Sequence, residues 1–294
     1  MKNSKSVLFR VVLLTVLAFS FLFPQQSLFV NAASNLQVHF IDVGQGDSIL
    51  VKLPNGQNML VDAGDNHYGS TVVNYLRNQN VSRLDYVVGT HPHADHIGGL
   101  DDVINTFSIG KVYMPNATAN TKTYEDVLLA IQNKGLTITR ARAGLTLVNT
   151  TVDGKALRVN MLAPVRDSYS NTNDYSAVIR VSYGSTSFLL TGDAEHISES
   201  DMVNSGELLS ANILKVGHHG SNTSTTDAFL NSVNPSVAII SVGAGNRYNH
   251  PTQSTIDKLK ARNISIFRTD MNGSVIFTTT GSGWLINKQA WWRP

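Results

Sequence analysis

The ten-residue stretch THPHADHIGG, which begins at Thr90, constrains this chain more than any other part of its 294 residues. It follows a short apolar run, a pattern typical of a buried strand that leads into a loop. His91 and His93 are two residues apart, so on an extended chain their side chains point to the same side. Asp95 and His96 come after a turn and face a second point. We therefore expect two cation sites, one at each pair.

The ligand types narrow the identity of the cations. An isolated histidine is more often a packed or surface residue than a ligand, but four such groups within six residues are hard to attribute to chance. Mixed imidazole and carboxylate ligands suit zinc, with manganese or iron as alternatives. The chain contains no cysteine, which excludes thiolate-bound zinc and a cysteine nucleophile. The sequence therefore predicts two divalent metal ions, with zinc as the first choice and manganese as the second.

A second candidate ligand, Asp193, ends a later apolar strand in the sequence LTGD. An aspartate after glycine is usually a turn residue. A carboxylate that approaches the histidine loop from the end of a strand can instead bridge two ions through its two oxygens. With the histidine loop present, we expect Asp193 to be the bridging ligand.

Two adjacent histidines, His218 and His219, follow another predicted strand. Neighbouring side chains on an extended chain point in opposite directions, so only one of the two is expected to face the metals. The other would meet the substrate or hydrogen-bond to the loop. We favour His219 as the ligand with His218 beside it, and the reverse order stays open.

A glycine-rich loop, residues 243–251, carries Arg247 and His250. Polar loops on a rigid scaffold often carry function. Arg247 could clamp an anionic oxygen of a substrate, and His250 could donate a proton to a leaving group. The alternative for His250 is simple packing before Pro251. With Asp95, which is expected both to bind a cation and to act in the reaction, these two residues are the candidate catalytic groups.

Several motifs together resemble those of metallo-β-lactamase-fold hydrolases. They are the HxHxDH pattern itself, FIDVGQGDS from Phe40, VDAG from Val61, LTGD from Leu190 and KVGHHGS from Lys215. The combination is similar to the extracellular hydrolase domain of the competence protein ComEC, over about residues 36–280. The resemblance implies an α/β (α+β) chain folded as a four-layered αββα sandwich, with the site where two sheets meet.

The resemblance also implies roles for single residues. Asp62 corresponds to an aspartate that usually supports the histidine loop without touching metal. The family usually supplies another histidine before the bridging aspartate, but residues 97–192 contain none, and Asn173 stands where it would align. The first ion would then have His91, His93 and Asp193, with water or a weak amide oxygen. This departure predicts a first site that binds more weakly than the second.

A phosphodiester is the first choice of substrate, either DNA or a phosphodiester-linked polymer of the cell envelope. The ComEC-like motifs, the anion clamp expected at Arg247 and the polar run 221–223 favour it. A carboxylic ester, a lactone or a β-lactam is an alternative within hydrolases. A non-catalytic metal-binding envelope protein is an alternative of another class, but the intact set of candidate ligands favours catalysis.

The first 33 residues have the pattern of a secretory signal peptide: a basic start, the apolar run 11–23 and small residues near Ala32. The apolar run is short for a spanning helix, although an uncleaved anchor stays open. Residues 34–294 are then one hydrolase domain with no integral membrane segment, outside the cell. They carry 20 basic residues against 21 acidic ones, because three of the 23 basic residues lie in the leader. No overall positive field is therefore available to hold nucleic acid.

Overall fold

Residues 34–294 are described by the computed structural model, and they fold into two β-sheets of eight and seven strands. The predicted signal peptide, residues 1–33, lies outside this part of the chain. Within residues 34–294, no helix combines the length and the apolar character that crossing a membrane would require.

The first sheet is antiparallel on one side and parallel on the other. Its strands are β1 (Leu36–Phe40), β2 (Ile49–Lys52), β3 (Asn58–Val61), β4 (Arg83–Val88), β5 (Ser108–Met114), β6 (Ile138–Arg140), β14 (Val275–Thr279) and β15 (Leu285–Ile286). They lie in the order β15-β14-β1-β2-β3-β4-β5-β6. The pairs from β3 to β6 are parallel, so β3 and β4 end at the same edge.

The second sheet has the same mixed character. Its strands are β7 (Leu145–Val152), β8 (Lys155–Ala163), β9 (Val178–Tyr183), β10 (Thr186–Leu190), β11 (Ile213–Lys215), β12 (Val237–Ile240) and β13 (Ser265–Arg268). They lie in the order β13-β12-β11-β10-β9-β8-β7, and the pairs from β10 to β13 are parallel. The ends of β10 and β11 therefore share one edge.

Helices cover the outer face of each sheet. In chain order they are α1 (Gly69–Asn78), α2 (Ala94–Ile97), α3 (Leu100–Thr106), α4 (Lys122–Asn133), α5 (His196–Asn204), α6 (Asp227–Val233), α7 (Gln253–Ala261) and α8 (Thr269–Asn272). Short 3₁₀ turns form at Asn66–Tyr68, Thr172–Tyr175 and Gly217–Gly220.

Three apolar clusters hold these layers together. One lies between the sheets, the second joins the first sheet to α1, α3 and α4, and the third joins the second sheet to α5, α6 and α7. Strand β2 shows the cause: Ile49 and Val51 belong to the cluster between the sheets, while Leu50 between them belongs to the helix-facing cluster. A strand buried on both faces needs apolar residues throughout. The expected αββα sandwich is confirmed.

His39 on β1 is a buried titratable group outside the histidine loop. Its Nδ1 lies 3.0 Å from the Tyr75 hydroxyl, and within the described residues its Nε2 has no hydrogen-bond partner. Burial, together with the nearby Lys52, lowers the pKa of His39 to about 4. The folded state therefore favours the neutral ring.

We predict that His39 makes the protein less stable in mild acid. Because its folded pKa lies below the unfolded value of about 6.5, its contribution is complete above pH 6.5 and is lost as the pH falls towards 4. The loss reaches about 3 kcal/mol at most. Urea unfolding of the wild type and of His39→Gln from pH 7 to pH 4 measures it, because the stability difference between the two proteins must narrow with acidification. A constant difference would contradict the prediction.

Candidate metal centre

The histidine loop follows strand β4 and leads into α2. His93 still has an extended backbone, with φ −75° and ψ 147°, and α2 begins at the next residue. His91 and His93 therefore precede the turn, while Asp95 and His96 lie on the first turn of the helix, as the spacing predicted. His91 Nε2 lies 2.9 Å from His93 Nδ1, so the first two imidazoles converge.

Asp62, at the end of β3, holds this loop in place. Its carboxylate accepts hydrogen bonds from the Thr90 N–H at 2.8 Å and the Thr90 hydroxyl at 2.7 Å, and it lies 2.8 Å from His96 Nδ1. Burial raises the pKa of the Asp62 carboxyl, while His96 and the Thr90 N–H favour its ionised form. A carboxylate at Nδ1 leaves His96 Nε2 as the nitrogen that faces the site. This contact agrees with the supporting role that the resemblance implies.

Asp193 brings the second sheet to the histidine loop, directly after β10. Its backbone N–H donates to the Ser176 hydroxyl at 3.1 Å. Its Oδ1 lies 3.2 Å from His96 Nε2 and 3.4 Å from His219 Nε2. Its Oδ2 lies 3.8 Å from His91 Nε2 and 3.7 Å from His218 Nε2. Each carboxylate oxygen therefore faces a different pair of imidazoles.

The backbone at His218 and His219 is not extended, so the local prediction was wrong. Both residues lie in a 3₁₀ turn with φ of 48° and 53°, the left-handed region that side chains other than glycine rarely adopt. The Ser221 N–H closes this turn on the His218 carbonyl at 2.8 Å. Both rings consequently reach Asp193, whereas the extended conformation predicted that only one would face the site.

The two rings have different partners behind them. His219 is buried, and its Nδ1 lies 2.9 Å from the carbonyl oxygen of Ser241, an acceptor that requires Nδ1 to donate. His219 Nε2 then faces the carboxylates of Asp95 and Asp193, each at 3.4 Å. His218 is only partly buried and its Nδ1 lies 3.0 Å from Glu195 Oε1.

Burial and the neighbouring charged groups shift the pKa values of the histidines in this cluster. Burial disfavours a charged His96, but Asp193, Asp62 and Asp95 outweigh it and raise the pKa of His96 well above its usual value. In the same way, Asp193 raises the pKa of His219 to about 9 despite burial. Burial lowers the pKa of His91 well below its usual value, with His96 adding to the effect. The carboxylates thus stabilise positive charge at this point.

These residues fit divalent cations. Two groups of three side chains, His91-His96-Asp193 and Asp95-His96-His219, each have donor atoms within 4.8 Å of one another. Asp193 Oδ1 is buried. Although two imidazole nitrogens lie near it, none of the described residues forms a well-aligned hydrogen bond with it. Imidazole nitrogens facing a buried carboxylate oxygen are the donors that zinc or another transition metal takes. A bound cation would replace the protons that the cluster otherwise attracts.

The candidate catalytic groups line a cavity of about 640 Å³ above these donors. Arg247 is exposed at its rim, and its guanidinium donates to the Tyr248 hydroxyl at 2.8 Å. His250 is partly buried, with its ring 5.3 Å from the ring of His218. Burial, with His218 and His219 nearby, lowers the pKa of His250 to about 4. The ring is therefore neutral at pH 7, which does not favour a protonated His250 as the acid.

Sequence reasoning missed a buried ion pair behind the site. Lys215 Nζ lies 2.5 Å from Asp47 Oδ2 and donates to the Gly192 carbonyl at 3.1 Å. Both charged side chains are fully buried. The sequence analysis gave Asp47 no role, although a lysine inside the apolar strand β11 was a signal that a buried acid would accompany it. The pair ties the loop after β1 to the turn that carries Asp193.

Asn173 lies close to the site, and within the described residues its buried Oδ1 has no hydrogen-bond partner. Its Nδ2 donates to Glu195 Oε1 at 3.0 Å, and the neighbouring Asn171 Nδ2 donates to Glu195 Oε2 at 2.8 Å. Glu195, two residues after Asp193, was also missed by sequence reasoning. Its contacts with His218 and both asparagines depend on the tertiary fold.

Comparison with known proteins agrees with this geometry. Residues 41–244 match the family model described as the metallo-beta-lactamase superfamily. The chain belongs to that superfamily. ComE operon protein 3 of Bacillus subtilis is 31% identical to it over 278 residues, which cover 89% of this chain and 34% of that protein. Competence protein ComA of Neisseria gonorrhoeae is 34% identical over 238 residues, with coverages of 80% and 31%. The chain thus spans about a third of the length of these relatives.

Solved structures support the superfamily fold. The metallo-beta-lactamase fold protein YhfI from Bacillus subtilis aligns with a TM-score of 0.53 at 13% identity, covering 84% of this chain and 100% of that one. Igni18, described as a novel metallo hydrolase from Ignicoccus hospitalis, aligns with a TM-score of 0.51 at 17% identity, with coverages of 82% and 98%. At such identities the likeness concerns the fold alone.

We predict that breaking the buried Lys215–Asp47 ion pair lowers the stability of the protein. Lys215→Met leaves the Asp47 carboxylate buried beside an apolar side chain, so the free energy of unfolding should fall by about 3–5 kcal/mol. The double variant Asp47→Asn, Lys215→Met removes both charges and should recover part of this loss. Urea unfolding measures all three proteins, with Lys111→Met, an exposed lysine on β5, as the matched control. Equal stability of Lys215→Met and the control would contradict the prediction.

Proposed function

We propose that this protein is an exported metal-dependent hydrolase that cleaves a phosphodiester, in DNA or in an envelope polymer. The observation that carries the proposal is the Asp193 carboxylate, which faces imidazoles with both oxygens at the base of the cavity. Membership of the superfamily and similarity to ComE operon protein 3 and to the competence protein ComA support the proposal. Export rests on the leader pattern of residues 1–33.

Seven side chains would hold two divalent cations, with zinc as the first choice and manganese as the second: His91, His93, Asp95, His96, Asp193, His218 and His219. When bound, such cations supply Lewis acidity and lower the pKa of water to near neutrality. Asp95 has a partly exposed carboxylate in the cavity wall. In this proposal Asp95 orients the attacking water in addition to binding a cation.

Arg247 and His250 form the substrate side of the proposed mechanism. Arg247 lies at the open rim, where its guanidinium can bind a non-bridging phosphate oxygen. His250 lies deeper, beside His218, and within the described residues its Nδ1 has no hydrogen-bond partner. As a neutral ring it hydrogen-bonds to the leaving oxygen, and the proton for that oxygen comes from water.

Activity assays test this function directly. The protein is given manganese or zinc and then bis(p-nitrophenyl) phosphate, single-stranded DNA, double-stranded DNA and nitrocefin. We predict phosphodiester cleavage that chelation abolishes and added metal restores. Asp193→Ala should lower kcat/KM by about a thousandfold, which corresponds to about 4 kcal/mol of transition-state stabilisation. Asp257→Ala, an exposed aspartate on α7, is the control. Cleavage of nitrocefin alone would favour a β-lactam or ester substrate and overturn the proposal.

A substitution at the rim separates substrate binding from metal binding. Because Arg247 is proposed to bind phosphate and no metal, Arg247→Ala should lower kcat/KM for bis(p-nitrophenyl) phosphate by about tenfold. The metal content of the variant should equal that of the wild type. Steady-state kinetics and elemental analysis measure the two quantities, with Arg77→Ala, an exposed arginine on α1, as control. Unchanged kinetics would remove Arg247 from the proposed mechanism.

A further inference from the structure

The two oxygens of Asp193 divide the imidazoles into two sets. Oδ1 faces His96 and His219, while Oδ2 faces His91 and His218. Asp95 approaches the first set, since its Oδ2 lies 3.4 Å from His219 Nε2. The neighbouring histidines of the 3₁₀ turn therefore serve opposite sides of one carboxylate.

The set at Oδ2 is the one for which the sequence offers no family histidine. Asn173, which the resemblance places at the missing position, directs its Nδ2 to Glu195, and within the described residues its buried Oδ1 has no hydrogen-bond partner. His218 Nε2, by contrast, lies 3.7 Å from Asp193 Oδ2, nearly the distance at which His91 Nε2 lies from the same oxygen. An imidazole from a different part of the chain thus lies as close to Asp193 Oδ2 as His91 does.

A carboxylate stands behind this imidazole. Glu195 is buried, and its Oε1 lies 3.0 Å from His218 Nδ1. The amides of Asn171 and Asn173 donate to its two oxygens at 2.8 Å and 3.0 Å, which fixes the orientation of the carboxylate. The Thr223 hydroxyl oxygen lies 3.4 Å from the same nitrogen. A carboxylate beside Nδ1 favours a proton on that nitrogen, which leaves Nε2 of His218 as the nitrogen that faces Asp193.

We propose that His218 is the fourth donor of the first metal site, in place of the family histidine, and that Glu195 is its positioning residue, held by Asn171 and Asn173. The first ion would then be held by His91, His93, His218 and Asp193, and the second by Asp95, His96, His219 and Asp193. The reason for expecting a much weaker first site is thereby removed. This inference rests on the proposed function, since it assigns donors to the cations of the same site.

The experiment measures how many metal ions bind and how tightly, and it does not depend on enzymatic activity. Metal-free protein is titrated with Zn²⁺ by calorimetry and with Co²⁺ by visible absorption, whose ligand-field bands report the donors around each ion. The variants are His218→Ala, Glu195→Ala and Glu195→Gln. His196→Ala is the matched control, because His196 is exposed and directly follows Glu195 in the chain. Thermal unfolding of each metal-free variant verifies that it folds.

We expect two ions in the wild type and in the control. His218→Ala should weaken one ion by more than about a hundredfold and leave the other unchanged, since a ligand is lost from one side only. Glu195→Ala should weaken the same ion by about 10–100-fold. Glu195→Gln, whose carbonyl still accepts from Nδ1, should recover part of that affinity and the Co²⁺ spectrum of the first site. A residue that served stability alone would give no such recovery.

Each other result is decisive. Two ions of unchanged affinity in His218→Ala, or a single wild-type ion that His218→Ala does not affect, would overturn the inference and leave the proposed hydrolase intact. A wild type that binds no divalent ion would overturn the proposed function as well. If Glu195→Ala does not fold, the His218→Ala titration still decides the ligand and Glu195→Gln decides the positioning role.

Discussion

Burial of negative charge between the two sheets is the constraint on which the rest of this structure depends. Asp47, Asp62 and Asp193 are all buried, and an isolated buried carboxylate is very costly. The fold meets this cost with a line of contacts that crosses from one sheet to the other: Asp62 to His96 Nδ1, then His96 Nε2 to Asp193 Oδ1. Without cationic partners on both sides, the strand ends could not meet here.

The line of contacts also explains why the site lies at strand ends. Parallel strands β3 and β4 deliver Asp62 and the histidine loop at one edge of the first sheet, and parallel strands β10 and β11 deliver Asp193 and the histidine pair at the facing edge. Strand interiors supply the apolar clusters that fix these edges. Rigid strands thus place short polar turns within about 4 Å of one another, which catalytic and metal-binding geometry requires.

The charges of the carboxylates and histidines at the site couple metal binding to the stability of the fold. Carboxylates raise the pKa of His96 and His219, so the cluster attracts protons when no other cation is present. A divalent cation competes with these protons and satisfies the same carboxylates, so binding releases protons and adds to stability. The Lys215–Asp47 pair adjoins this cluster, because the Asp47 carboxylate also lies 3.6 Å from His219 Nδ1 and 3.9 Å from His96 Nδ1.

The sequence by itself determined the features that depend only on the spacing of residues a few positions apart. The HxHxDH pattern places two imidazoles before a turn and two candidate ligands after it, and helical and extended geometry within six residues decides their directions. Asp193 could also be expected, because a polar residue that ends an apolar strand must lie at a sheet edge. The αββα layers were implied by the resemblance that the family motifs carry, and the two sheets with helices outside them confirm it.

Only the tertiary structure decided the rest. The left-handed turn at His218 and His219 is set by long-range packing and not by local preference, which favours an extended chain there. Asp47 and Lys215 lie far apart in the sequence, and so do Glu195 and His218. The spacing of residues along the chain therefore does not reveal either pair. Charge pairing of this kind depends on distances of a few ångströms between elements, and those distances exist only once both sheets have packed.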